Sequence, residues 1–532
     1  MGESERVVSL DALRGLAIVV MVFVSGGGWP AVSTDHVPWD SRDSAALHLA
    51  DYACPTFVYC IGASIAVVFA DRQASRPTRP ALKHAAVRAL KMLVIGFFIK
   101  NGNIFAFGSG ELDLRSVRLV SVLGRLGIAY FVSVLLVVLL PRAGPQPVPA
   151  WAGQAGGAEV RTLLPHATSV NAISPRHHRP LPLPEITQYW PAWVGVAAIM
   201  AVYLGLTFGY AVPGCGRGYL GPGGNAEGGP HCNATTGQGC RLQNCTGGFM
   251  GYFDTMLLGP NHMVGHGVHG EFCWEKYKCP TPFDANGFFG VLPTVFHVFL
   301  GFTAGRVVTL ERRRPRAVVA RLLSWAAVWL AAGLLLDRTG AIPFSKQMWS
   351  LSFCLGMSAV STVLWVLLYL LVDGGSESVP APLRCGSRGK WRWGGGLLKT
   401  TGQNSIALYV LSATLVPVLN SFCWSKGDAP GPHCVIADLG AGVDSIARSN
   451  TIIGPVFQAL WGVGGGHTNG AHGINATEPA VCLGGGVGGI APGPWAECSP
   501  YYTTVLLWSL LNVLLMMLIG WCFARHKILI KL

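Results

Sequence analysis

Long apolar runs separated by short clusters of basic residues constrain this chain more than any other feature of its sequence. An α-helix needs about 20 apolar residues to cross a bilayer, and ten runs approach or exceed that length. Only 12% of the 532 residues are charged, about half of what a soluble chain carries. This pattern favours a multi-pass membrane protein and excludes a soluble enzyme, a disordered protein and a nucleic-acid-binding protein. The predicted spans are Leu10–Ser25, Leu47–Ala70, Leu90–Phe107, Val117–Leu140, Trp193–Val212, Phe288–Val308, Val318–Leu336, Met348–Val372, Ser405–Phe422 and Thr503–Phe523.

We therefore predict an all-α fold, a polytopic transmembrane helix bundle of about ten spans. Residues 1–140 hold the first four spans, and residues 191–532 hold the other six. Between them, residues 141–190 are rich in proline and have no helical periodicity, which predicts a cytosolic linker. Two long loops, 213–285 and 423–500, interrupt the second half.

The distribution of lysine and arginine predicts the orientation of the bundle. With the N-terminus placed in the cytosol and the spans alternating, the cytosolic segments hold about two thirds of the 39 basic residues. An even number of spans then returns the C-terminus to the cytosol. The net charge of +13 is explained by this bias and needs no anionic partner.

The cysteines favour the same orientation. Of the 15 cysteines, ten lie in the two long loops, which the layout places in the lumen, and each loop holds an even number. Disulfides are expected there, because the spacings do not repeat the CxxC pairs of a zinc site. No metal is predicted, and the glycosylation sequons at Asn233, Asn244 and Asn475 lie in the same two loops. The cysteines predicted to stay free thiols are Cys54, Cys60, Cys354, Cys385 and Cys522.

Polar residues at the start of the chain are the first candidates for a site, because burying them in a membrane is costly. Asp11 and Arg14 are three residues apart on one helical face, which fits either a helix N-terminus or a functional pair. His36 and Trp39 follow a run of three glycines, and such a turn lets the backbone approach a ligand closely. His36 is then a candidate acid, base or acyl acceptor, against the alternative of an ordinary surface histidine.

Further candidates lie inside the later spans. Arg118 and Arg125 are seven residues apart, which predicts one face of the fourth span and either an anion clamp or pairing with a buried carboxylate such as Asp51. Asn404 opens the ninth span, either as a capping residue or as part of a site. His297 is predicted to be a hydrogen-bonded histidine of the bundle.

Sequence motifs along nearly the whole chain closely resemble the lysosomal heparan-α-glucosaminide N-acetyltransferase family of polytopic membrane enzymes. The N-terminal motif runs from Arg6 through Leu10-Asp-Ala-Leu-Arg-Gly15, and His36-x-x-Trp39 and Ala50-Asp51 follow it. The later motifs are Arg118-Leu-Val-Ser-Val-Leu-Gly-Arg125, Gly218-Tyr-Leu-Gly-Pro-Gly-Gly224, Gly251-Tyr-Phe-Asp254, Asp284-x-x-Gly287, Pro343 to Ser352 and Gly402-x-Asn404-Ser-Ile406.

The resemblance implies an enzyme that takes acetyl groups from cytosolic acetyl-CoA and places them on the amino group of a lumenal glucosamine. It implies a protein embedded in the lipids of the lysosomal or another endomembrane. It is compatible with a monomer or a homodimer. His36 falls on the family's active-site histidine, which is either a transient acetyl acceptor or a general base. The other expected site residues are Ser25, where the family has asparagine, and Asp51 for catalysis, with Arg14, Arg125, Trp39 and Asn404 for the donor.

Two other functions are alternatives to a glucosamine N-acetyltransferase. Ten spans with polar residues near the membrane surfaces also suit a transporter, although the two halves show no inverted repeat. Alternatively, the chain is an acetyltransferase for a different glycan.

Overall fold

The computed structural model describes residues 7–25, 48–70, 78–101, 117–140, 183–219, 246–263, 283–312, 314–373, 395–421 and 495–526. Regular structure in these ranges is helical apart from one isolated bridge between Val212 and Gly216, which confirms the mostly helical fold. The helices are α1 Val8–Ser25, α2 Ala50–Ile65 with a π-helical extension Ala66–Ala70, α3 Thr78–Lys100, α4 Val122–Leu139, α5 Pro184–Thr187, α6 Trp190–Gly209, α7 Gly248–Leu258, α8 Val291–Leu310, α9 Pro315–Arg338, α10 Leu351–Val372, α11 Gly396–Gln403, α12 Ser405–Ser421 and α13 Trp495–Arg525.

Seven helices in the described part are long and apolar enough to cross a membrane: α1, α2 with its extension, α4, α6, α8, α9 and α10. Each coincides with one of the ten predicted spans. The apolar segments Ser405–Thr414 and Ser509–Arg525 are shorter, so the count of ten stays a prediction.

The third predicted span, Leu90–Phe107, lies partly outside the described residues, which end at Asn101 here, so it stays a prediction. The helix found there, α3, begins at Thr78 and ends at Lys100, and its first half carries Lys83 and Arg88. These charges keep α3 out of the seven apolar helices. Its basic residues are Arg79, Lys83, Arg88, Lys91 and Lys100, and the stretch 92–99 between the last two is apolar.

Close approach of glycine-bearing helices builds the centre of the bundle. A Cβ atom at Gly62 of α2 would overlap the carbonyl of Val298, and one at Gly301 of α8 would overlap the carbonyl of Tyr59. The same relation joins α1 to α11, because a Cβ at Gly402 would overlap the carbonyl of Asp11. Small residues therefore let these helix pairs pack backbone to backbone, as is common in membranes.

The end of the predicted linker is anchored to the bundle. Residues 141–182 lie outside the described residues, but Glu185 in α5 is buried and accepts hydrogen bonds from Arg321 at 2.6 Å and from the indole of Trp325 at 2.9 Å. This acidic anchor fixes where α6 enters the bundle.

The described cysteines agree with the predicted division between thiols and disulfides. Cys54, Cys60, Cys354 and Cys522 are free, as predicted, and Cys385 lies outside the described residues. Cys215 of the first long loop is disulfide-bonded. The pairing within the two loops stays a prediction.

Candidate active site

A cavity of about 200 Å³, here called the upper cavity, opens where several helix ends meet. The C-terminal end of α1 and the N-terminal end of α2 line it, together with the start of α4 and the segments that precede α8 and α10. Because α1 ends at this cavity and α2 and α4 begin there, α1 runs antiparallel to both of them. The polar residues of the cavity wall are Ser25, Arg125, Asn286, Lys346, Gln347 and Tyr409.

Ser25 and Ala50 both line the upper cavity, and they border the segment that carries His36 and Trp39. Residues 26–47 lie outside the described residues, so the roles predicted for His36 and Trp39 stay predictions. The chain therefore leaves the described bundle at this cavity and re-enters it there. Ser25 itself is exposed at the end of α1.

Asp51 is fully buried beside the upper cavity, where it pairs with a lysine. Lys346 Nζ lies 2.8 Å from its Oδ1, and the backbone N–H of His48 donates to its Oδ2 at 3.1 Å. Among the described residues, neither Arg118 nor Arg125 forms an ion pair with Asp51, so the alternative that pairs one of them with Asp51 is not the arrangement found there. Lys346 comes from the loop before α10, 295 residues along the chain, so no local pattern around Asp51 indicates this partner.

Arg118 and Arg125 do not share a helical face, because α4 begins only at Val122, where the Ser121 hydroxyl accepts from the N–H of Gly124. Arg118 precedes the helix and donates two hydrogen bonds of 2.7 Å to the carboxylate of Asp284. Both residues are buried, so Arg118 and Asp284 form a structural ion pair. This agrees with the alternative that Arg118 pairs with a buried carboxylate rather than binding an anion.

Arg125 has a different environment at the wall of the upper cavity. Its Nε donates to Thr294 Oγ1 at 2.7 Å, its Nη1 donates to the carbonyl of Ala285 at 2.7 Å, and its Cζ lies 4.3 Å from the ring centre of Trp349. Its Nη2 has no hydrogen-bond partner among the described residues.

His297 lies on α8 beside the Trp349 ring, with 5.8 Å between the ring centres. It is completely buried, yet neither ring nitrogen has a hydrogen-bond partner in the described part of the chain. The prediction of a hydrogen-bonded bundle histidine is therefore wrong within these residues.

A second cavity of about 340 Å³, here called the lower cavity, lies further along the same helices. It is lined by Arg14 in the first half of α1, by the later part of α2 and by the middle of α3. Relative to the upper cavity, it therefore lies toward the opposite ends of α1 and α2. Its basic residues are Arg14, His84, Arg88 and Lys91.

Three of these basic residues were missed as candidates by sequence reasoning. His84, Arg88 and Lys91 are spaced four and three residues apart, so they share one face of α3. That spacing is visible in the sequence, and it indicates a basic stripe once a helix is assumed there. It was missed because the third span was predicted to begin at Leu90, which left His84 and Arg88 outside any predicted helix.

The predicted donor-binding residues Arg14 and Asn404 both line the lower cavity. Arg14 donates to Asp11 at 3.0 Å and to the hydroxyl of Ser64. Asn404 is buried at the break between α11 and α12. Of the other two predicted donor residues, Arg125 lies at the upper cavity instead, and Trp39 lies outside the described residues.

Four apolar side chains line both cavities and separate them. We call this set the collar: Phe57 of α2, Leu123 and Leu126 of α4, and Ile406 of α12. The two cavities thus follow one another through the bundle, and the apolar collar lies where they adjoin.

Sequence comparison identifies known proteins to which this chain is similar. Residues 6–142 match the family model for the catalytic region of heparan-alpha-glucosaminide N-acetyltransferase. The human heparan-alpha-glucosaminide N-acetyltransferase is 30% identical over 410 residues, which is 76% of this chain and 52% of the human protein. The mouse protein is 29% identical over 412 residues, covering 76% of this chain and 53% of the mouse protein. The chain spans about half the length of these relatives, and it is similar over three quarters of its own length to heparan-alpha-glucosaminide N-acetyltransferases.

Proposed function

We propose that this protein is a transmembrane acetyltransferase that moves acetyl from acetyl-CoA to the amino group of a glucosamine-type sugar on the other side of the membrane. The observation that carries this proposal is the pair of cavities, one of them basic, that meet at the collar. A group-transfer enzyme that joins substrates from two compartments needs such a divided path, and the relatives are named for the same reaction.

The lower cavity suits the phosphate-bearing part of acetyl-CoA. Arg14, Arg88 and Lys91 bring positive charge to its wall, and cations of this kind bind phosphate groups strongly. The basic bias of the predicted cytosolic segments supports entry from the cytosol. The acetyl end would then extend past the collar into the upper cavity.

The upper cavity would hold the reacting atoms. A glucosamine amine is largely protonated in an acidic compartment, and it attacks a thioester only after losing that proton. His36 is suited to remove it, since an imidazole titrates near pH 6.5. The amine nitrogen then bonds to the carbonyl carbon, the carbon–sulfur bond breaks, and CoA leaves as a thiolate that takes up a proton.

The alternative route passes through the histidine itself. The imidazole nitrogen of His36 takes the acetyl group first, CoA departs, and the amine then displaces the imidazole. This site would be completed by Ser25, Asp51 and Trp39. The Asp51–Lys346 ion pair would hold in place the surface of the upper cavity that contacts the sugar.

The decisive experiment uses purified protein in sealed vesicles of known orientation. Labelled acetyl-CoA is added to the cytosolic face and a panel of amino sugars or other glycans is trapped inside. We expect labelled N-acetylglucosamine to accumulate in the lumen. Acetylation of a different glycan only would replace the acceptor, whereas sugar movement without acetyl transfer would establish a transporter.

The matching variant is His36→Ala, with His526→Ala at the exposed end of α13 as the control. We expect loss of at least about a hundredfold in kcat for His36→Ala, which is typical of removing a general base or nucleophile, and none for the control. A folded His36→Ala protein that keeps most of its activity would remove His36 from the mechanism.

A further inference from the structure

The positive charge of Arg125 is not neutralised by the protein in the way that the charge of Arg118 is. Arg118 is matched by Asp284 through two hydrogen bonds of 2.7 Å. Arg125 is only 6% exposed, yet its observed acceptors are the neutral oxygens of Thr294 and Ala285. No carboxylate of the described residues forms an ion pair with it, although Asp254 is close enough for the two charges to attract each other. A buried cation without a directly paired counter-charge is costly unless a ligand supplies one.

The orientation of this guanidinium is fixed from three sides. Thr294 is itself tied to the bundle, since its hydroxyl donates to the carbonyl of Gly290 at 2.8 Å. Trp349 stacks on the guanidinium and is held in a left-handed backbone conformation, with φ at 51°. Such strain in a non-glycine residue is characteristic of functional sites. Arg125 is therefore held in place at the cavity wall, and Nη2 is left without a described partner.

The phosphates of a CoA molecule are not the best match for this charge. Arg14, Arg88 and Lys91 already surround the lower cavity, and the four apolar residues of the collar separate that cavity from Arg125. What reaches the upper cavity in the proposed function is the thioester end. Its carbonyl oxygen is nearly neutral before the reaction and becomes negative when the amine attacks.

We propose that the Arg125 guanidinium binds the carbonyl oxygen of the donor's acetyl group and stabilises the oxyanion that forms there. This role rests on the proposed function and adds a catalytic residue to it. As the nitrogen–carbon bond forms, the π electrons of the carbonyl move to oxygen beside Arg125. They return when the carbon–sulfur bond breaks, and Arg125 transfers no proton. A preorganised positive charge beside the oxygen that becomes negative is a strong form of such stabilisation.

Two uncleavable CoA analogues test this directly. S-acetonyl-CoA keeps a carbonyl oxygen, and S-isobutyl-CoA replaces that oxygen with a methyl group. We expect the wild-type protein to bind the ketone at least about tenfold more tightly, as measured by titration calorimetry or competition. Arg125→Gln should abolish that preference, and Arg125→Lys should retain part of it.

The ratio of the two affinities separates this role from a structural one. Arg88→Gln, in the lower cavity, should weaken both analogues equally and leave the ratio unchanged. If the wild-type protein binds the two analogues equally, the role of Arg125 is overturned without any variant having to fold. An unchanged ratio in folded Arg125→Gln overturns it as well.

Two further outcomes identify which idea fails. If Arg125→Gln leaves the ratio unchanged but raises KM for a sulfated sugar alone, Arg125 reads an anion on the acceptor and our assignment is wrong. If wild-type protein binds neither analogue nor CoA itself, the proposed function fails, and the role of Arg125 fails with it.

Discussion

At the scale of single residues, Asp254 of α7 is the clearest source of pH dependence. Its Oδ1 accepts from the N–H of Phe289 at 3.1 Å, and its Oδ2 has no partner among the described residues. It fits only because Gly287 has no side chain, since a Cβ there would overlap Oδ2. Burial, and to a smaller extent the charge of Asp284, raise the pKa of Asp254 from 3.8 to about 7, against the opposing effects of backbone hydrogen bonds and Arg125.

A raised carboxyl pKa means that the folded protein holds this proton more tightly than the unfolded chain. The stability contributed by protonated Asp254 is therefore full below about pH 4 and is lost as the pH rises to about 7. We expect Asp254→Asn to unfold several degrees higher than wild type at pH 7.5 and at nearly the same temperature at pH 4.5. Thermal unfolding in detergent at both pH values measures this. A variant that loses stability equally at both would show that Asp254 is ionised in the folded protein.

Residue types and spacing predict some of these partners and not others. The i, i+3 pair of Asp11 and Arg14 was visible in the sequence, and it forms at 3.0 Å. The partners of Asp51 and Arg118 lie 295 and 166 residues away, so only the packing of distant helices decides them. The importance of Asp254 was equally hidden, since it depends on a glycine from another segment.

At the scale of helices, the basic face of α3 should select the donor. Lys91 lines the lower cavity, whereas Lys83 is an exposed lysine of the same helix that does not. We expect Lys91→Gln to raise the KM for acetyl-CoA severalfold with little change in the KM for the sugar, and Lys83→Gln to change neither. Initial rates at varied donor and acceptor concentrations separate the two. Equal effects of the two variants would point to general surface charge.

The collar between the cavities makes a second prediction at this scale. Ile406 lines both cavities, while the matched isoleucine Ile61 lines only the lower one. Truncation of Ile406 to alanine should widen the passage between the cavities. Liposomes that contain this variant should then leak protons severalfold faster than those with wild type, as measured with a trapped pH-sensitive dye. The leak rate of Ile61→Ala should equal that of wild type. Identical leak rates would mean that the barrier lies elsewhere.

Helix periodicity and hydropathy predicted most of the helices for a physical reason. An apolar run must be helical in lipid to satisfy its own backbone, so seven predicted spans appear with ends shifted by a few residues. The described part of α3 carries basic residues along its length and has no long apolar window, so it is not among the seven. The predicted ninth span, Ser405–Phe422, coincides with α12, and Asn404 stands directly before it as expected; the short helix α11 that precedes Asn404 was not predicted.

At the scale of the whole molecule, sidedness is the main prediction. Helix ends that border the upper cavity belong to the lumenal side in the predicted layout, and the lower cavity belongs to the cytosolic side. We expect acetyl-CoA to support lumenal acetylation only when it is added at the cytosolic face of sealed vesicles. Activity with lumenal acetyl-CoA alone would reverse the assignment of the two cavities.

The collar also has a consequence for the effect of the membrane potential on this protein. Water and ions that enter the two cavities would concentrate the electric field across the bundle on the apolar segment between them. Moving one charge through a full potential of 100 mV requires about 2.3 kcal/mol. A donor whose phosphates stay below the collar sends only the neutral thioester end through that field. The acetylation step would then run at the same rate on energised and de-energised membranes, driven by the thioester alone.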